Sequence, residues 1–74
     1  MSSRTKEINE NYLQFCRLVL KDHPSLSVVF EDHWVRGDFR AAYVLVDKII
    51  HASYFAQSEQ FKKADQEFYW EFIA

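Results

Sequence analysis

The chain has few residues that interrupt a helix. Its 74 residues include one glycine, Gly37, and one proline, Pro24. These two residue types most often end secondary structure, because glycine leaves the backbone free and proline removes an amide donor. Their scarcity predicts long helices, and a single glycine excludes the glycine-rich loops that bind phosphate groups.

Cysteine is equally scarce. Cys16 is the only one in the sequence, so the chain cannot form an internal disulfide. It falls on the predicted apolar face of the first helix, which favours a buried, inert thiol over a reactive one. A single unpaired cysteine fits a reducing compartment, and the polar residues 1–12 do not resemble a secretory signal. We expect a cytoplasmic protein.

Long apolar runs and clustered positive charge are also missing. The longest apolar run, residues 41–46, is far shorter than the roughly 20 residues that span a bilayer, so we expect no membrane insertion. The net charge is −2, and Lys62 and Lys63 are the only adjacent basic residues. Duplex binding needs clustered basic groups to displace counterions, so we expect no direct contact with nucleic acid.

Aromatic side chains are what the chain has in quantity: seven Phe, four Tyr and two Trp. A domain this short buries only about 60% of the surface that its unfolded chain exposes. Each aromatic side chain carries a large apolar surface, so we expect part of that surface to remain uncovered within one chain. Another protein is expected to cover it, and a homodimer is the first expectation because two-fold pairs are the commonest assemblies.

Four segments place apolar residues at helical spacing, which predicts an all-α fold of one compact four-helix domain. The predicted helices span about 5–21, 24–36, 38–57 and 58–73. Proline suits the first turn of a helix, glycine suits the position after its last turn, and serine suits its N-cap, so Pro24, Gly37 and Ser58 mark the boundaries. The third helix is the longest and is apolar around most of its circumference, which predicts a central position.

No group of residues indicates catalysis, a metal or a cofactor. Asp47 and His51 share a helix face, but no third ligand follows at a spacing that would complete a tetrahedral site. Arg17 and His23 have a spacing similar to the Arg–His pair of small helical ribonucleases. The turn at Pro24 interrupts the helix that would make both groups converge on one substrate atom. We predict a non-enzymatic protein; a small ribonuclease or toxin using Arg17 and His23 is the alternative.

The last helix indicates where a partner would bind. On a regular helix Trp70 lies about 160° from Phe68, so both rings cannot face the same core. We expect Trp70 to face outward with Tyr69 and Ile73 beside it, since exposed Trp and Tyr are typical interface anchors. For Trp34, a core position is favoured over an interface. The candidate partner-binding residues are Trp70, Tyr69, Ile73, Tyr54 and Trp34.

Short stretches also carry a family resemblance. They are Tyr12-Leu13 followed by Arg17, then Leu26, Val29, Phe30 and Glu31, and finally Trp70-Glu71-Phe72-Ile73. In these stretches the chain resembles the Hha/YmoA/Cnu family, small helical cytosolic proteins that bind the nucleoid protein H-NS. The family's Ala-Ala-Asp-His-Arg run is absent, and residues 46–49 stand in that region. The resemblance implies a modulator of a DNA-bound protein. It is one form of the broader prediction, a small regulator, adaptor or inhibitor that docks on a larger protein.

Overall fold

Helices account for almost all of the chain that the structure describes. This structure, a computed structural model, describes residues 3–50 and 58–74, and no strand occurs in them. The α-helices in those two ranges are α1 (Ser3–Val19), α2 (Pro24–Val35), α3 (Phe39–Ile50) and α4 (Glu59–Phe68). The predicted all-α fold is therefore confirmed. The predicted continuation of the third helix through residues 51–57 lies outside the described residues.

Local hydrogen bonds explain where α2 ends. Gly37 has φ of +76°, a left-handed conformation that favours glycine. The amide of Gly37 donates to the carbonyl of Trp34 at 3.0 Å, and the amide of Asp38 donates to the carbonyl of His33 at 2.9 Å. This pair of bonds is a Schellman motif, and it satisfies two carbonyls that the helix end would leave unpaired.

Side-chain caps start the next two helices. The Asp38 carboxylate accepts a hydrogen bond from the amide of Ala41 at 3.3 Å, at the start of α3. The Ser58 hydroxyl accepts one from the amide of Phe61, also at 3.3 Å, at the start of α4. Both bonds satisfy an amide in the first turn, which is the usual role of these residue types.

The helices pack in two neighbouring pairs. α1 and α4 run antiparallel, because Arg4 contacts Glu67 at one end of the pair and Phe15 contacts Phe61 at the other. α2 packs against α3. α3 also contacts α1 and the last turn of the chain, and Val44 on its outer face remains 46% exposed.

Aromatic rings from all four helices meet in the core. The Tyr12 ring of α1 stacks on the Phe68 ring of α4, with centroids 4.0 Å apart and planes 7° apart. Trp34 of α2 stacks on the same Phe68 ring at 5.5 Å. Phe39 of α3 meets Trp34 edge-on at 4.9 Å. Stacked and edge-on pairs of this kind add to the free energy gained by burying the rings.

The chain leaves regular α-helical geometry after α4. Residues Tyr69–Ile73 form a π-helical turn, in which the amide of Ala74 donates to the carbonyl of Tyr69 at 2.8 Å. The five-residue spacing of this bond brings Ile73 to the same side as Phe68, and Ile73 is only 8% exposed. The predicted outward position of Ile73 is therefore wrong, because it assumed regular helical spacing.

Candidate protein-binding surface

Trp70 projects from the terminal turn into solvent. Its side chain is 73% exposed, although Phe68 before it and Ile73 after it in the same helical segment are buried. The π-helical turn explains this contrast, since it places Phe68 and Ile73 on the core side and leaves Trp70 on the outer side. The predicted outward position of Trp70 is confirmed.

Tyr69 connects Trp70 to the neighbouring helix. Its ring is 37% exposed and meets the Trp70 ring edge-on, with centroids 5.4 Å apart. On its other side Tyr69 lies 5.7 Å from the half-buried Tyr43 ring of α3. These contacts hold Tyr69 in place and make it, with Trp70, one continuous aromatic ridge on the outside of the molecule.

A groove runs beside Trp70 between the start of α1 and the end of α4. It has a volume of about 290 Å³ and is lined by Trp70, Arg4, Ile8, Gln66, Glu67 and Glu71. The Arg4 guanidinium donates to Glu67 at 3.3 Å, and the Thr5 hydroxyl donates to Glu71 at 3.0 Å. We call Tyr69, Trp70 and the residues of this groove the Trp70 surface.

The terminal turn is also tied to α3. The Arg40 guanidinium donates to the backbone carbonyl of Ile73 at 2.8 Å. This carbonyl belongs to the end of the helix, where carbonyls lack partners within the helix and the negative end of the helix dipole attracts a cation. Contacts from both α1 and α3 therefore hold the backbone that carries Trp70.

Carboxylates surround the aromatic ridge. Glu67 and Glu71 lie on the groove side. On the α3 side, burial raises the pKa of Tyr43 to about 12, with further contributions from the nearby charges of Asp65 and Asp47. Negative charge consequently faces the ridge from two sides.

The remaining predicted site residues lie elsewhere. Trp34 is half-buried, and its ring contacts Tyr12, Phe30 and Phe68, so it belongs to the core, the position that sequence favoured. Tyr54 lies outside the described residues. The Trp70 surface therefore contains two of the five predicted residues, Trp70 and Tyr69.

The sequence pattern did not indicate the groove residues Arg4, Ile8, Glu67 and Glu71. Ile8 and Glu67 come together only through the register of α1 against α4, which no local pattern fixes. The sequence gives one weak indication of an acidic surface here, because residues 64–74 contain three carboxylates and no lysine or arginine.

Arg17, His23 and Cys16 do not line the groove beside Trp70. Arg17 forms a two-point ion pair with Glu31 across α1 and α2, at 2.8 and 3.3 Å. His23 is exposed at the N-cap of α2, where its carbonyl accepts from the amide of Ser27. Cys16 is fully buried, as predicted, and burial raises the pKa of its thiol. Within residues 3–50 and 58–74, no group of three His, Cys, Asp or Glu side chains is placed to hold a metal ion.

None of the helices described is both long and apolar enough to cross a membrane.

Comparisons with protein families, with characterised proteins and with solved structures found no match.

Proposed function

We propose that this protein is a small non-enzymatic regulator, adaptor or inhibitor that docks on a larger protein through the Trp70 surface. The observation that carries the proposal is the 73% exposure of Trp70 on a helical turn that neighbouring helices hold in place. Loose chain ends often expose apolar residues without consequence. Here the backbone on both sides of Trp70 is fixed by the burial of Phe68 and Ile73.

The energy available from covering Trp70 is large for one side chain. Aromatic residues bury about 150–250 Å² each, and apolar burial contributes about 25 cal/mol for each Å². Removing about 150 Å² of Trp70 from water would therefore contribute roughly 4 kcal/mol. Contributions of this size are typical of the few anchor residues that dominate protein–protein affinity.

The placement of Trp70 also favours binding. A side chain on a fixed helical turn loses less conformational freedom on association than one on a mobile loop. Tyr69 restricts the Trp70 ring on one side by its edge-on contact. The surface is thus largely arranged before a partner arrives.

Cys16 is relevant to the cellular compartment in which the protein acts. The single unpaired thiol suits a reducing compartment, so the proposal places the protein in the cytoplasm.

Trp70→Ala tests the proposal. Partners that the wild-type protein captures from the native cell are identified first. The affinity of each purified partner is then measured for the wild-type protein and for Trp70→Ala. We expect Trp70→Ala to weaken binding by at least 2 kcal/mol, about 30-fold, as at other anchor tryptophans. The melting temperature is expected to change by less than about 4 °C, since Trp70 contributes little to the core. Purified H-NS is the first partner to measure, because of the family resemblance.

Val35→Ala is the matched control. Val35 is 78% exposed on α2, so its substitution also removes exposed apolar surface, but away from the Trp70 surface. We expect it to leave both affinity and melting temperature unchanged. A clear loss of stability in Trp70→Ala with unchanged affinity would show that Trp70 supports the fold and does not bind a partner.

A further inference from the structure

We infer that the partner presents a basic segment, carrying arginine or lysine next to apolar residues, to the Trp70 surface. This inference rests on the proposed function, since it takes Trp70 as the contact and adds the chemistry of what contacts it. Charge complementarity and the aromatic rings each support it.

The first support is the charge of the groove. Residues 64–74 contain Asp65, Glu67 and Glu71 and no lysine or arginine. Arg4 offsets the charge of Glu67, to which it donates at 3.3 Å. The contact from Thr5 to Glu71 comes from a neutral hydroxyl, so it orients that carboxylate without offsetting its charge.

The second support comes from the other side of the ridge. Asp65 and Asp47 lie close enough to Tyr43 to affect its titration, and Tyr43 contacts Tyr69 at 5.7 Å. Carboxylates therefore lie on the α3 side of the ridge as well as beside the groove.

The aromatic rings favour the same ligand. A guanidinium or ammonium group over the face of Trp or Tyr is attracted by the ring electrons, most strongly over Trp. An acidic partner would be repelled from this surface. A second copy of this chain across a two-fold axis would bring like carboxylates together, so the Trp70 surface is unsuited to self-association.

Peptide selection identifies the preferred chemistry directly. Phage displaying random 12-residue peptides are selected on the immobilised full-length chain, after removal of those that bind Trp70→Ala. We expect the selected peptides to contain more arginine and lysine than aspartate and glutamate. Their affinity, measured by fluorescence anisotropy, is expected to fall as NaCl rises from 50 to 300 mM, because salt screens exposed charges.

Charge-neutral variants test the carboxylates. With the selected peptide as probe, we expect Glu67→Gln/Glu71→Gln to bind about fivefold more weakly than wild type, with a smaller salt dependence. Glu59→Gln is the matched control, because Glu59 is an exposed carboxylate in the first turn of the same helix. It should bind the peptide as wild type does, and melting temperatures identify any variant that is merely unfolded.

The outcomes separate the two proposals. Selected peptides that are neutral or acidic but still require Trp70 would overturn the inference of a basic partner and support the Trp70 surface. Unchanged binding of a basic peptide by Glu67→Gln/Glu71→Gln would also overturn that inference alone. A selection that yields no peptide dependent on Trp70 would overturn both.

Discussion

The Cys16 thiol and the Tyr12 hydroxyl lie one helical turn apart on α1, and both side chains are buried in the core. Burial is the main reason that the pKa of each group lies above its ordinary value. Cys16 therefore stays protonated, and a neutral thiol is a poor nucleophile and a poor metal ligand. At the scale of single residues, burial therefore keeps both the Cys16 thiol and the Tyr12 hydroxyl in their neutral forms.

Stability is expected to fall at alkaline pH because of Cys16, Tyr12 and Tyr43. Their ordinary pKa values are 9.0 for the thiol and 10.0 for the phenols, and all three are raised in the folded state, Tyr43 to about 12. The unfolded chain loses these protons first, so the stabilising effect is complete below about pH 9 and declines above it. For Tyr43 the decline falls between pH 10 and about 12.

Urea unfolding at pH 7, 9, 10 and 11, with a reductant present, measures this decline. Each group that keeps its proton only in the folded state lowers the free energy of unfolding by about 1.4 kcal/mol per pH unit. Tyr12→Phe is expected to reduce the slope above pH 10, since it removes one of the groups. A free energy of unfolding that stays constant up to pH 11 would contradict the burial of these side chains.

At the scale of helices and turns, the sequence predicted what short-range chemistry decides. Gly37, Asp38 and Ser58 act where their residue types predict, because a cap involves only its nearest neighbours along the chain. The buried position of Ile73 was not predictable from local sequence. It depends on a π-helical turn, and the carbonyl of Ile73 in that turn accepts a hydrogen bond from Arg40, which is 33 residues away in the chain. The groove beside Trp70 likewise depends on how α1 is aligned with α4.

Arg40→Met is expected to loosen the terminal turn. The substitution keeps a long apolar stem and removes the guanidinium that donates to the carbonyl of Ile73. We expect faster amide hydrogen exchange at residues 70–74. We also expect the free energy of unfolding to fall by about 1 kcal/mol or somewhat more, because a typical hydrogen bond contributes about 1 kcal/mol and a charged donor contributes more.

Arg36→Met serves as the control for that experiment. Arg36 pairs with Asp32 at 2.7 Å on the exposed face of α2, away from the terminal turn. Exposed pairs of this kind contribute little, so exchange at residues 70–74 should not change. Equal exchange rates at those residues in Arg40→Met and wild type would show that the turn does not depend on Arg40.

At the scale of the whole molecule, two exposed apolar regions differ in their surrounding charge. The groove of the Trp70 surface is lined by two carboxylates, Glu67 and Glu71, and one arginine, Arg4. On the outer face of α3, Val44 is 46% exposed in a shallow groove of about 420 Å³. That groove is lined by Val44, Asp38, Arg40, Ala41, Leu45 and Lys48. It therefore has charges of both signs at its edges, which suits contact with an identical surface.

We predict that the protein forms a homodimer through this face of α3. Across a two-fold axis Val44 would meet its counterpart, and Asp38 of one copy would face basic groups of the other. Sedimentation equilibrium at micromolar concentration should give twice the chain mass of 8.9 kDa. Val44→Lys is expected to give a monomer, whereas Val35→Lys on α2 and Trp70→Ala should remain dimeric. A wild-type monomer, or a dimer that Trp70→Ala disrupts, would contradict this arrangement.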